Sequence, residues 1–172
     1  VMRFAEKKDV PAIRAIAEAS WKVTYVDIIS VDQMAYMLEW MYGEEVLNCH
    51  LENGEQVFLL EEEEGEVLGF AAYSFHYPAE GVCRLHKLYL RPDQKGKGLG
   101  KRLMEEVKQR AREAGLREVQ LNVNKQNPAY RFYLASGFSV LREEVLEIGE
   151  GYVMDDYVMV LKNLTPSSVR TG

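Results

Sequence analysis

The sequence predicts a mixed α/β (α+β) fold. Three observations lead there. Segments with strand-like alternation interleave with segments of helical periodicity. A strand–helix–strand unit occupies the middle of the chain, from Gly81 to Val123. The 172 residues, 47% hydrophobic and 28% charged, fit one globular domain, expected over residues 1–163 with a polar tail over 164–172.

A short strand is expected at Met2 to Ala5. Asp9 then offers a helix N-cap, with Pro11 in the first turn and Ile13, Ile16 and Ala17 on one face. Ser30 and Gln33 have capping-box spacing ahead of a second helix with Met34, Met37, Leu38 and Met41 at helical intervals. Val57 to Glu61 and Val67 to His76 read as strands that turn at Glu63-Glu64-Gly65. Gly81 to Arg91 reads as a strand ended by Pro92. Leu99, Leu103, Val107 and Ala111 mark a helix that Gly115 stops. Val119 to Val123 is a strand and Pro128 to Ser136 a short helix. Phe138 to Ile148 and Tyr152 to Leu161 form a final hairpin around Gly149-Glu150-Gly151.

Composition excludes several function classes. A net charge of -6 argues against a nucleic-acid partner, because phosphate backbones select basic surfaces. The first nine residues are too charged for a signal peptide, and no apolar run approaches the ~20 residues of a bilayer-spanning helix. A cytoplasmic protein with no membrane partner is therefore expected. Cys49 and Cys83 make no disulfide framework, and with His50 and His76 they match no metal-ligand spacing, so no metal is expected. Asn163-Leu164-Thr165 has the form of a glycosylation sequon and is read as chance.

The net charge conceals an asymmetry. Arg91, Lys95, Lys97, Lys101 and Arg102 stand against Asp93 alone, so residues 91–102 carry +4 and the other 160 carry -10. A basic island in an acidic chain suits a small polyanion. The island contains Leu88-Tyr89-Leu90-Arg91-Pro92-Asp93-Gln94-Lys95-Gly96-Lys97-Gly98-Leu99-Gly100-Lys101, a strand running into a glycine-rich turn that opens a helix. Glycines allow a sharp turn, and a helix N-terminus presents unpaired N–H groups with a partial positive charge, so this junction forms an anion cradle. It is neither of two familiar cradles. A P-loop needs Ser or Thr after Gly100-Lys101, where Arg102 stands, and the Rossmann pattern needs a glycine at the position of Lys101.

Lys95-Gly96-Lys97-Gly98-Leu99-Gly100 resembles the acyl-CoA signature of the GNAT superfamily of N-acetyltransferases, Gln/Arg-x-x-Gly-x-Gly/Ala, with Lys95 departing from the usual first residue. Leu88-Tyr89-Leu90-x-Pro matches the strand before that turn. Asn127-Pro128-Ala129-Tyr130-Arg131-Phe132-Tyr133-Leu134-Ala135-Ser136-Gly137-Phe138 resembles the family's later motif, in the same order along the chain. The resemblance implies a mixed, mostly antiparallel sheet flanked by helices, with two central parallel strands splayed near Arg91 and Val123. It implies acetyl-CoA as cosubstrate, held by Leu88, Tyr89, Leu90, Lys95, Gly96, Lys97, Gly98, Leu99, Gly100 and Lys101. It places an asparagine on the pantetheine arm, either Asn124 or Asn127, and Tyr133 near the CoA sulfur. Asn127 before Pro128 also reads as a helix N-cap, and Tyr133 as a core aromatic.

The implied reaction is direct acetyl transfer to an amine in a ternary complex. An amine of pKa about 10.4 is mostly protonated at pH 7, so a base is useful. Arg84 stands where many family members carry a glutamate. His86, on the same face of the strand, is the candidate base or water-orienting residue; its other reading is a satisfied sheet histidine. The backbone near Leu90 is the expected oxyanion donor and the Tyr133 hydroxyl the expected acid. Trp21, Tyr25, Tyr36 and Trp40 either shape an acceptor pocket or pack the core. Glu61 to Glu64 read as a solvated turn that could also attract a cation. The acceptor is read as a small polyamine-like or amino-acid-like amine. Protein N-terminal or lysine acetylation, and a non-catalytic acyl-CoA-binding module, are the alternatives. Dimerisation is common in such a family, and nothing in the sequence fixes it.

Overall fold

The computed structural model describes residues 1–164; the expected tail from Thr165 to Gly172, and with it the sequon's threonine, lies outside the described residues. Seven strands hydrogen-bond in the order β1-β2-β3-β4-β5-β7-β6: β1 Met2–Phe4, β2 Val57–Glu63, β3 Glu66–Phe75, β4 Val82–Leu90, β5 Glu118–Asn124, β6 Ser139–Gly149 and β7 Tyr152–Leu161. The pairs β1–β2, β2–β3, β5–β7 and β6–β7 are antiparallel and β4–β5 is parallel. This is the mixed, mostly antiparallel sheet that the sequence predicts. The helices are α1 Val10–Thr24, α2 Val31–Tyr42, α3 Glu44–Asn53, α4 Leu99–Glu113 and α5 Ala129–Ala135. None is long and apolar enough to cross a membrane among the described residues.

Two compact units divide the chain. The first comprises Val1–Ser74 and His86–Glu106, the second Phe75–Leu85 and the chain from Val107 onward. In the first, Ile13, Ile16, Ala17 and Trp21 are the buried stripe of α1. Asp9 precedes this helix without a side-chain capping bond. Its carboxylate instead takes two bonds from Arg3, at 2.8 and 2.9 Å, and one from the Glu6 N–H at 2.7 Å, which ties β1 to the helix start. Ser30 does cap α2, accepting from the Gln33 N–H at 3.0 Å, while the Gln33 amide donates to Met37 Sδ.

Helix α3 is absent from the sequence reading. Leu47 is its one fully buried described residue, so it presents too narrow a stripe to register as periodicity. Its punctuation was nonetheless visible, with Gly43 before it and Gly54 after it at φ +71°. The β2–β3 hairpin turns through Glu64 and Gly65, both at positive φ, the backbone sense that matches strand twist. Strand β2 runs to Glu63 rather than Glu61, which corrects the solvated-turn reading of this acidic run. Glu61 is buried and ion-paired with Arg102, and Glu62 bonds Arg3 at 2.8 Å.

The first unit's aromatic core joins Trp21, Tyr42, Phe58, Phe70 and Tyr89 through ring contacts of 5.8–6.5 Å. Trp21 and Tyr25 are core residues, whereas Trp40 is half exposed. Lys87 is buried in the same cluster. Its Nζ donates to Gln56 Oε1 at 2.7 Å and lies 5.5 Å from the Tyr42 and Phe58 ring centres. Burial pushes this ammonium down to about 8. In the second unit, Val119, Leu121, Val123, Val158 and Met159 are buried along β5 and β7, and Tyr133 packs edge-on against Phe132 and Phe138.

Candidate functional site

The glycine turn belongs to the first unit, and the backbone around it is set by contacts within that unit. Gly69 on β3 lets the end of β4 come close: a Cβ there would sit 2.6 Å from Leu90 Cδ2 and 2.9 Å from the Tyr89 carbonyl. Tyr89 anchors this end through its ring contacts, and the Arg91 N–H bonds the Leu68 carbonyl at 2.9 Å. Leu88, Tyr89 and Leu90 are the partly exposed final residues of β4. A single 3-10 turn at Pro92–Gln94 follows, which the sequence reading treats as loop.

Gly96 and Gly98 then adopt φ +81°. Nothing lies within 4 Å of the Cβ that either would gain, so their requirement is conformational and not one of space. Helix α4 opens at Leu99, which is buried, and the Arg102 N–H is already bonded to the Gly98 carbonyl at 3.1 Å. The N–H groups of Leu99, Gly100 and Lys101 precede it, in a first turn with no acidic residue. Lys95, Lys97 and Lys101 are exposed around this end.

The basic island is narrower than the count implies. Arg91 is bound by Asp93 at 2.7 and 3.1 Å and by Glu66 at 3.1 Å, and Arg102 by Glu61. The three lysines are the cations that remain for a polyanion. An open helix start, bare left-handed glycines and three exposed lysines fit a pyrophosphate-bearing ligand.

His86 leaves β4 in the first unit. Its Nε2 lies 2.8 Å from Ser74 Oγ, and that hydroxyl also donates to the Glu55 carbonyl. Ser74 was not singled out in the sequence, because strand partners follow from register alone.

The remaining expected residues belong to the second unit. Asn124 ends β5, and its Oδ1 accepts from the Gln126 N–H at 2.9 Å. Asn127 Oδ1 accepts from the Ala129 N–H at 2.9 Å, a bond that braces the entry to α5, whose N-cap position is Pro128 and not Asn127 as the sequence suggests. Tyr133 is 8% exposed on α5. The same unit holds a polar group on one sheet face that sequence reasoning missed. Asn122 Nδ2 donates to Glu144 Oε2 at 3.0 Å and to Asp156 Oδ2 at 3.4 Å. Burial pushes the Asp156 carboxyl up to about 6, and burial also lowers the Arg84 guanidinium, which Glu144 and Asp156 partly offset. The alternation Asn122-x-Asn124 within a strand was the available signal. No group of three or more His, Cys, Asp or Glu side chains suited to a metal ion occurs among the described residues.

The chain is similar to known proteins. An L-methionine sulfoximine/L-methionine sulfone acetyltransferase of Pseudomonas paraeruginosa is 31% identical over 137 residues, 74% of this chain and 73% of its own. A spermidine N(1)-acetyltransferase of Thermoplasma acidophilum is 28% identical over 138 residues, 77% of this chain and 84% of its own. The crystal structure of the PaiA N-acetyltransferase from Thermoplasma acidophilum in complex with coenzyme A superposes with a TM-score of 0.78 at 26% identity, covering 94% of this chain and 98% of that one. Residues 13–138 match the model of the acetyltransferase (GNAT) family. That span takes in the glycine turn, β5 and the whole Asn127–Phe138 motif, and the chain belongs to the GNAT acetyltransferase family.

Proposed function

We propose that the protein transfers an acetyl group from acetyl-CoA to a small-molecule primary amine by direct attack in a ternary complex, in the cytoplasm. The observation that carries this reading is the glycine turn, with Gly96 and Gly98 at φ +81° ahead of an α4 start that no acidic side chain blocks. Bound acetyl-CoA supplies the activated thioester. The N–H groups of Gly96, Gly98, Leu99, Gly100 and Lys101 hold the pyrophosphate, with Lys95, Lys97 and Lys101 adding charge. The strand end at Leu88, Tyr89 and Leu90 supports the acyl arm, and the Leu90 backbone N–H donates to the developing oxyanion. In the second unit, Asn124 or Asn127 steadies the pantetheine arm through a backbone or amide group. The Tyr133 hydroxyl donates the proton that the departing thiolate takes up, and the His86 imidazole accepts the proton lost by the amine.

Two relatives support a small acceptor: one is named for methionine sulfoximine and sulfone, the other for spermidine. The test is thiol release from acetyl-CoA across polyamines, amino acids and peptides. A small amine as preferred acceptor supports the reading. Preference for a peptide N-terminus or lysine replaces it with protein acetylation.

A further inference from the structure

Among the described residues, three buried polar atoms on the strands of the second unit lack a hydrogen-bond partner and belong to one region of its sheet: Arg84 Nε, Asn122 Oδ1 and Asp156 Oδ1. Strand register explains the grouping. Arg84 pairs with Gln120, which precedes Asn122 by two residues on β5. Asn124 faces Asp156 across β5–β7, and Asp156 faces Glu144 across β6–β7. Directly paired residues and residues two apart share a face, so Arg84, Asn122, Asn124, Asp156 and Glu144 project from the same side.

Buried polar atoms are ordinarily paired, and three orphans on one face call for a partner. Their chemistry is complementary in a particular way. The Asn122 amide spends its N–H bonds on Glu144 and Asp156, which leaves two oxygen acceptors, Asn122 Oδ1 and Asp156 Oδ1. Asp156 is only 2% exposed, so water does not bathe its free oxygen. Arg84 contributes the opposite need, a buried donor on a guanidinium. Oxygen acceptors on carboxylate and amide suit an ammonium, and a guanidinium donor suits a carboxylate. A polycation matches less well, because Arg84 and Arg142 both lie in the field of this face. Asp156 itself is surrounded by Asn122, Glu144, Asp155 and Arg84, with a rise driven by burial that Asn122 and Arg84 only partly offset.

We propose that this face binds the head-group of an α-amino acid, its ammonium against Asp156 and Asn122 and its carboxylate against Arg84. The inference rests on the acetyl-transfer reading and deepens it by choosing the amino-acid acceptor over the polyamine. Its position agrees with that reading, since Asn124 stands directly opposite Asp156.

The test is calorimetric titration of CoA-saturated protein with three probes: L-methionine sulfone, its carboxamide and spermidine. The acid is expected to bind wild type at least about tenfold more tightly than the carboxamide, as loss of a charged hydrogen-bond partner implies. Arg84→Gln is expected to remove that difference by weakening the acid alone. Asp156→Asn is expected to weaken both amino-acid probes. The acid-against-carboxamide comparison on wild type needs no variant, so a misfolded variant leaves the test intact. Equal binding of acid and carboxamide, preference for spermidine, or no binding of any probe overturns the proposal. Failure of the acetyl-transfer reading shows separately, as absence of CoA binding in the preliminary titration.

Discussion

Ser74 Oγ and His86 Nε2 lie 2.8 Å apart while the same hydroxyl donates to the Glu55 carbonyl. A serine hydroxyl carries one proton, so the histidine is the donor in this pair. The neutral ring is thereby held as the Nε2–H tautomer, with its lone pair on Nδ1. On the proposed reading His86 is the amine's base, and Ser74 positions its ring. His86→Gln is expected to lower kcat by about a hundredfold or more, with CoA affinity unchanged. Ser74→Ala is expected to lower kcat less and to move the acidic limb of the pH–rate profile. The check is kcat against pH for both variants; an unchanged profile for His86→Gln returns His86 to a purely structural role.

Gly96 and Gly98 differ from glycines that make room for a neighbour. With open space around both and φ at +81°, Gly98→Ala is expected to cost about 1–2 kcal/mol through backbone strain alone. The turn then re-forms in another shape, and the Kd for CoA is expected to rise at least about tenfold, a change of about 1.4 kcal/mol. Chemical denaturation and calorimetry separate the two effects.

Tyr133→Phe removes one hydroxyl from a ring that is packed between Phe132 and Phe138. The ring contacts survive, so stability is expected to change by about 1 kcal/mol or less. Catalysis is expected to fall by about a hundredfold in kcat as the leaving thiolate loses its acid. Steady-state kinetics beside a melting curve checks both halves.

Asp156 is expected to make stability fall as pH rises. Its folded carboxyl titrates at about 6 against an ordinary 3.8, so between those values the folded state holds a proton that the unfolded state has lost. Stability attached to this group is complete below pH 3.8 and declines as pH rises through 6, by about 3 kcal/mol. Asp156→Asn is expected to abolish that decline and to be the more stable protein near pH 8. Urea melts from pH 4 to pH 8 measure it.

What was legible in the sequence was what short-range chemistry specifies. Ile13, Ile16 and Ala17 share a stripe because of helical spacing, and they are buried. The glycine turn announced itself through Gly96, Gly98 and Gly100 at a strand–helix junction. The residues misread were those whose role depends on a distant partner. Asp9 looks like a cap, yet Arg3 claims it. Glu61 looks solvated, yet it is buried with Arg102. Asp156 sits in an acidic pair beside an exposed neighbour, and only the register that brings Asn122 and Glu144 to it distinguishes the two. Helix α3 was missed for a related reason, since a single fully buried leucine gives no period.

Acetyl transfer from acetyl-CoA to an amine can be measured on both products. The most direct measurement is free-thiol release from acetyl-CoA with and without added amine, paired with mass spectrometry of the amine. Amine-dependent thiol release matched mole for mole by acetylated amine is expected, with both slowed about a hundredfold in Tyr133→Phe. Tight CoA binding with no acetyl transfer to any amine or peptide would contradict it and leave a non-catalytic acyl-CoA-binding module.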